Sequence, residues 1–270
     1  MELKNKILVC DIDGTLVDSE KKIPPRAKEL ITKFQKNGGI FILASGRPPR
    51  GMINYANELE LAKYNGYMMS YNGSQVTNMK TGEIIYKKCL DYNKIPDIIR
   101  IAKEYGVNML TYEGDTIITE DDSNKYLQLE KKINNLDLKL VDSITDYVKF
   151  DVPKCLGTAE GEALEPLEAA FNEQLTNVSI FRSEPFFLEV NPLGIDKGNI
   201  LKMVVEEILG CTKNNVVACG DGFNDITMLE YAGIGIAMDN GSIAVKEDAD
   251  YVTASNDEDG LALAIEKFIF

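Results

Sequence analysis

The stretch Lys6–Val17, KILVCDIDGTLV, runs four apolar residues into two aspartates, a glycine and a threonine before the apolar character resumes. A short apolar run bounded by a turn signal reads as a buried strand. Ending such a strand on Asp11 and Asp13 is costly, because carboxylates this close repel and burying either one needs a positive partner. The strand end is built to meet a cation. In sheets of parallel strands, ligands bind outside the carboxyl ends of the strands, which is where these two residues fall.

Outward from this strand, both ends of the chain alternate strand and helix. Pro24 and Pro25 open a helix through Gln35, with Ala27, Leu30, Ile31 and Phe34 at helical spacing and Gly38-Gly39 as the stop. IFILA (40–44) is the next strand, ending in the small residues Ser45 and Gly46. Near the C-terminus NVVACG, IGIAM and DYVT read as strands, and DITMLEYAG, SIAVKEDA and EDGLALAIEKFIF as helices. Nearly continuous apolar strands separated by helices indicate a parallel sheet covered on both faces. The middle differs. From Glu83 to Val190 it offers several alternating segments, and TYEGDTIIT carries a hairpin signal. The expected fold is therefore α/β, with a Rossmann-like core from residues 1–82 and 191–270 and an inserted α+β domain at 83–190.

Composition narrows the function classes. With 29 Lys and Arg against 43 Asp and Glu, the formal net charge is −14. That argues against nucleic acid as partner and against anionic membrane surfaces, but a small phosphorylated molecule remains compatible with a locally positive pocket. No histidine is present, which removes Ser-His-Asp hydrolysis, His-ligated zinc and phosphohistidine chemistry together. Neither a thiol-phosphatase loop nor a GxxxxGK[ST] loop occurs, so acid–base work near neutral pH falls to carboxylates. The apolar runs are too short to span a bilayer, and acidic residues interrupt the N-terminus before a signal-peptide core can form. Five scattered, unpaired-looking cysteines fit a reducing cytoplasm.

Four chemistry-bearing features fall at strand ends or helix starts: DIDGT, ASGR, DKG and GDGFND. Asp11 and Asp13, spaced by two, can face one side; Gly14 turns the chain away, and Thr15 can orient a carboxylate. Asp221 and Asp225 add carboxylates, a hard-oxygen set suited to Mg2+ shared with a phosphate. Ser45 with its neighbouring N–H groups can hold phosphate oxygens, and Lys197 adds a point charge. Asp225 also stands where a helix N-cap would. Arg47 reads equally as a substrate contact or as a brace for the insertion.

In this order the four motifs resemble those of the haloacid-dehalogenase-like phosphohydrolases. YNGS, LEVNPLGIDKG, DADYVT and the position of the insertion resemble the Cof-type branch, over nearly the whole chain. The resemblance implies a catalytic core with an inserted cap, and a Mg2+-dependent phosphatase of small phosphorylated metabolites, such as sugar phosphates, with no obligate protein partner. It implies Asp11 as nucleophile, forming an aspartyl-phosphate, and Asp13 as general acid and base. Mg2+ would be held by Asp11, the Asp13 backbone carbonyl and Asp221, with Thr15 and Asp225 supporting. Ser45, Gly46, Lys197 and Asn224 would meet phosphate or substrate. One departure is MDNGS, where the branch commonly has an MGNA-like loop; Asp239 adds a negative charge there. A sugar-phosphate mutase and a phosphoacceptor switch are the alternatives. Selectivity is expected in the insertion, with Lys154 and Arg182 as solvent-facing candidates.

Overall fold

Ile7–Cys10 forms β1 because its four apolar side chains, alternating to opposite faces, are all buried. The structure, a computed structural model, describes residue 3 and residues 6–270; Met1, Glu2, Lys4 and Asn5, part of the N-terminus read above for a leader, lie outside the described residues. The strands continue as β2 (Ile40–Ala44), β3 (Tyr67–Ser70), β4 (Gln75–Asn78), β5 (Ile84–Lys87), β6 (Asn108–Glu113), β7 (Thr116–Thr119), β8 (Asp137–Leu140), β9 (Cys155–Thr158), β10 (Val178–Glu184), β11 (Phe187–Pro192), β12 (Val216–Gly220), β13 (Ile234–Ala237) and β14 (Tyr251–Val252). The α-helices are α1 (Pro25–Lys36), α2 (Pro49–Glu58), α3 (Ile95–Glu104), α4 (Lys125–Asn134), α5 (Ile144–Tyr147), α6 (Gly161–Gln174), α7 (Lys197–Met203), α8 (Ile226–Tyr231), α9 (Ile243–Glu247) and α10 (Gly260–Phe268).

The chain divides into two compact units, one of residues 1–46, 52–86 and 196–270, the other of residues 47–51 and 87–195. The first holds an eight-stranded sheet in the order β14-β13-β12-β1-β2-β3-β4-β5, parallel from β14 to β3 and turning antiparallel at β4. One face buries Leu8, Cys10, Phe41, Leu43, Val217 and Cys219 with Leu30, Ile31 and Phe34 of α1 and with Leu261 and Ile265 of α10. Ile7, Val9, Ile42 and Ala218, alternating with these, are equally buried. Burial on both faces is why these strands read as unbroken apolar runs. Each large aliphatic side chain so buried contributes roughly 1.5–3 kcal/mol.

The second unit is an α+β body around a six-stranded, mainly antiparallel sheet, β10-β11-β9-β6-β7-β8. The expected hairpin is β6–β7, turning through Glu113–Thr116. Its apolar face packs Met109, Ile118, Leu188 and Val190 against Ile98 and Ile99 of α3 and Leu164, Leu167 and Phe171 of α6.

Two local readings change. The insertion does not open at Glu83: Ile84–Lys87 is the edge strand of the eight-stranded sheet. Lys154 is not a solvent-facing residue. It is 2 % exposed, and its Nζ donates to Glu189 Oε1 at 2.9 Å, because a buried ammonium requires a carboxylate partner. Arg182 is held by Glu168 at 2.8 Å and by the Gly161 carbonyl. All five cysteines are free thiols, with Cys10, Cys155 and Cys219 buried. No helix among the described residues is long and apolar enough to cross a membrane.

Candidate active site

Sheet register brings the acidic motifs together. β1 and β12 run parallel with Cys10 opposite Cys219, and the Asp11 N–H donates to the Cys219 carbonyl at 3.1 Å. One or two residues beyond the paired ends, Asp11 and Asp221 leave the sheet side by side. Carboxylate oxygens of Asp11, Asp221 and Asp225 lie within 4.8 Å of one another. Gly14, at φ 78°, lets the first loop close over this cluster, since a Cβ there would collide with the Asp221 carboxylate.

The positive partner anticipated from the first strand is Lys197, the opening residue of α7. Its side chain is 0 % exposed, and Nζ donates to Asp11 Oδ1 at 2.6 Å and to Asp225 Oδ1 at 2.5 Å. Asp196 caps the helix by accepting from the Asn199 N–H at 2.8 Å. Gly198 allows α7 to lie against α8, because a Cβ would strike the Thr227 carbonyl. The DKG sequence thus caps a helix, supplies the ammonium and permits close packing, one residue for each task.

The N-cap reading of Asp225 does not hold, since its side chain makes no capping hydrogen bond to α8; it works on the turn before that helix and on the ammonium. One carboxylate oxygen meets Lys197; the other accepts from the N–H groups of Asp221 (3.0 Å) and Gly222 (2.9 Å). Both oxygens being engaged, it is better placed to fix the turn and the ammonium than to give a lone pair to a metal. Thr15 Oγ1 donates to Asp221 Oδ1 at 2.5 Å and orients that carboxylate. Burial, reinforced by neighbouring carboxylates, raises both Asp11 and Asp221 above the usual carboxylate range, while Lys197 pulls Asp11 down again. Asp11 and Asp225 in turn raise Lys197 against its desolvation. A buried set of hard oxygens whose charges are incompletely balanced is the donor chemistry that a small divalent cation satisfies.

Around the cluster, Ser45 is buried at the end of β2, its N–H donating to the Met69 carbonyl at 2.9 Å, and Gly46 follows it. Asn224 Nδ2 donates to Asn72 Oδ1 at 2.9 Å. Asp13 stands nearer the surface, where Lys21 Nζ donates to its Oδ1 at 2.7 Å. Lys21 was not singled out by sequence; it sits at φ 63° in a turn closed by Asp18, and nothing in SEKK announces that conformation. Asn72 also escaped notice as a site residue, although its Asn-Gly dipeptide is a turn signal. Arg47 belongs to the other unit, where Nη1 donates to the carbonyls of Gly51 and Ile133. In the departing MDNGS loop, Asp239 is met by Lys246 at 2.9 Å and Asn240 donates to the Gly14 carbonyl at 2.8 Å. Near it, Asn256 donates to the Val17 carbonyl and Asp259 pairs with Arg26.

Residues 8–265 match the family model of the haloacid dehalogenase-like hydrolases. The chain belongs to that family. Among solved structures, a haloacid dehalogenase-like hydrolase from Bacteroides thetaiotaomicron is 38 % identical with a TM-score of 0.87, covering 98 % of this chain and 99 % of its own. A HAD subclass IIB sugar phosphatase is 26 % identical with a TM-score of 0.83, covering 97 % and 98 %. The Bacillus subtilis 5-amino-6-(5-phospho-D-ribitylamino)uracil phosphatase YcsE is 30 % identical over 98 % of this chain and 96 % of its own. The family match spans both units, and with it the four motif loops gathered at the strand ends.

Proposed function

We propose that this chain is a Mg2+-dependent phosphatase that hydrolyses phosphomonoesters of small metabolites through an aspartyl-phosphate on Asp11. The observation that carries the reading is the fully buried Lys197 ammonium bridging Asp11 and Asp225 inside an acidic cluster at the strand ends. A carboxylate approaching a phosphate oxygen is opposed by roughly 4 kcal/mol per charge pair at contact distance and an effective dielectric constant of 20. Lys197 offsets part of that repulsion from a fixed, water-excluded position.

In this mechanism a carboxylate oxygen of Asp11 attacks phosphorus while the ester oxygen leaves, taking a proton from Asp13. Asp13 then accepts a proton from the water that attacks the aspartyl-phosphate, which releases inorganic phosphate and restores Asp11. Ser45, the Gly46 N–H, Lys197 and Asn224 hold the phosphoryl oxygens. Mg2+ would be held by Asp11, Asp221 and the Asp13 backbone carbonyl, and when bound supplies positive charge against the carboxylates and the phosphoryl oxygens. Thr15 and Asp225 orient the ligands.

The substrate class follows from what the motif loops meet and from the relatives. Those loops would meet a phosphoryl group common to every ester, so residues 87–195, read as a cap, would set the choice of leaving group. A relative and a structural neighbour are named for a phosphorylated ribityl compound and for sugars, which favours phosphorylated sugars or polyols here. The test is steady-state phosphate release across a panel of phosphate esters, with and without Mg2+, for the wild type and Asp11→Asn. Sustained release that vanishes in the variant and on chelation is expected. Isomerisation of a sugar phosphate without release would establish a mutase instead, and stoichiometric phosphorylation without turnover a switch.

A further inference from the structure

Between the second motif and the insertion lies SYNGS (70–74), which the mechanism above does not use. Its backbone is unusual. Tyr71, Asn72 and Gly73 follow one another at φ 51°, 55° and 100°, three consecutive left-handed residues of which two carry a Cβ. Non-glycine residues in this region cost of order 1–3 kcal/mol each and persist only where the surroundings over-determine them. Both side chains are buried, Asn72 completely.

The surroundings that impose this turn are three of the four motif carriers. The Asn72 N–H donates to the Ser45 carbonyl at 2.9 Å, which tethers the loop after β2. Asn72 Oδ1 accepts from Asn224 Nδ2 at 2.9 Å, which tethers the loop after β12. Gly73 lies against Ile200 of α7, the helix that presents Lys197, so closely that a Cβ would approach Ile200 Cγ1 to 2.7 Å. An extended or right-handed backbone at Asn72 would change the direction of its N–H and of its side chain together. The left-handed turn lets one residue reach both loops.

We propose that Asn72 is a positioning residue, whose backbone fixes Ser45 and whose carboxamide fixes Asn224, so that one strained turn sets the spacing of two loops that meet the phosphoryl group. This rests on the phosphoryl-transfer reading given above. Displacement of a binding group by about 1 Å can cost on the order of 100-fold in rate, so a residue that touches no reacting atom can still matter this much.

Asn72→Gly isolates the effect, because glycine adopts the left-handed conformation without strain and removes only the carboxamide. The variant should remain folded at the assay temperature, as its melting curve will show, while kcat/KM for an aryl phosphate falls about 10- to 100-fold. Asn224→Ala should cost a similar factor, and the double variant should be no worse than Asn224→Ala alone, since the carboxamide acts through Asn224. A kcat/KM within twofold of wild type would overturn the proposal, as would fully multiplicative losses in the double variant. A wild-type protein that releases phosphate from no ester overturns the phosphatase reading itself, a result seen before any variant is compared.

Discussion

At the scale of single residues, the site rests on unequal treatment of two aspartates. Asp11 is buried against Lys197, whereas Asp13 is partly exposed against Lys21, whose ammonium comes from a strained turn. Fixed burial suits a nucleophile, and contact with the surface suits a group that exchanges protons with a leaving group and with water. Asp13→Asn keeps the side-chain shape but loses the transferable proton. Acid assistance matters least when the leaving oxygen is already stable. The variant should therefore still react with a nitrophenyl phosphate but lose about 100-fold or more on an alkyl phosphate, and rapid quench should trap phosphate on Asp11. Equal losses on both esters, with no trapped intermediate, would contradict this division of labour.

At the scale of elements, the site depends on how closely α7 approaches α8. Gly198 permits that approach against the Thr227 carbonyl, and its N–H donates to Thr227 Oγ1 at 3.1 Å. Gly198→Ala forces a Cβ against the Thr227 backbone, which should destabilise by about 1–3 kcal/mol and displace Lys197. Denaturant midpoints and kcat/KM measured on the same variant should both drop, and a loss of neither would mean that the helices have slack. This scale also shows what can be read without coordinates. The strands ILVC, IFILA and NVVACG were readable because burial on both faces leaves no polar residue to interrupt them. The acidic cluster was readable because carboxylates at strand ends violate the ordinary pattern. What escaped depends on distant partners. Ile84–Lys87 is short and without a buried face, so only pairing at the sheet edge assigns it. Lys154 reads as surface until Glu189, far along the chain, supplies its counter-charge. The left-handed run at 71–73 leaves only an Asn-Gly signal, because its cause is the two loops and the helix packed on it.

At the scale of the whole molecule, the buried cluster couples stability to pH and to metal. Burial raises Asp11 and Asp221 above their unfolded values, so the metal-free folded chain holds protons that the unfolded chain gives up. Their contribution is complete below the ordinary carboxylate range and is lost as pH climbs through neutrality. Melting temperature under chelation should fall between about pH 5 and about pH 8, and saturating Mg2+ should flatten that decline, because a bound cation replaces the protons. A metal-free profile that is flat or rising over this window would refute the coupling. The complete burial of Lys197 has one more consequence, for encounter. Its charge is spent on two carboxylates and projects little field outward, while the chain as a whole carries a formal −14. A phosphate dianion approaching from bulk solvent meets net repulsion until it is within contact range of the loops. Added salt, with a Debye length near 10 Å at about 0.1 M, screens that repulsion while barely touching the buried pair. At fixed free Mg2+, kcat/KM should therefore rise with moderate KCl, the opposite of an enzyme that draws its substrate in from a distance.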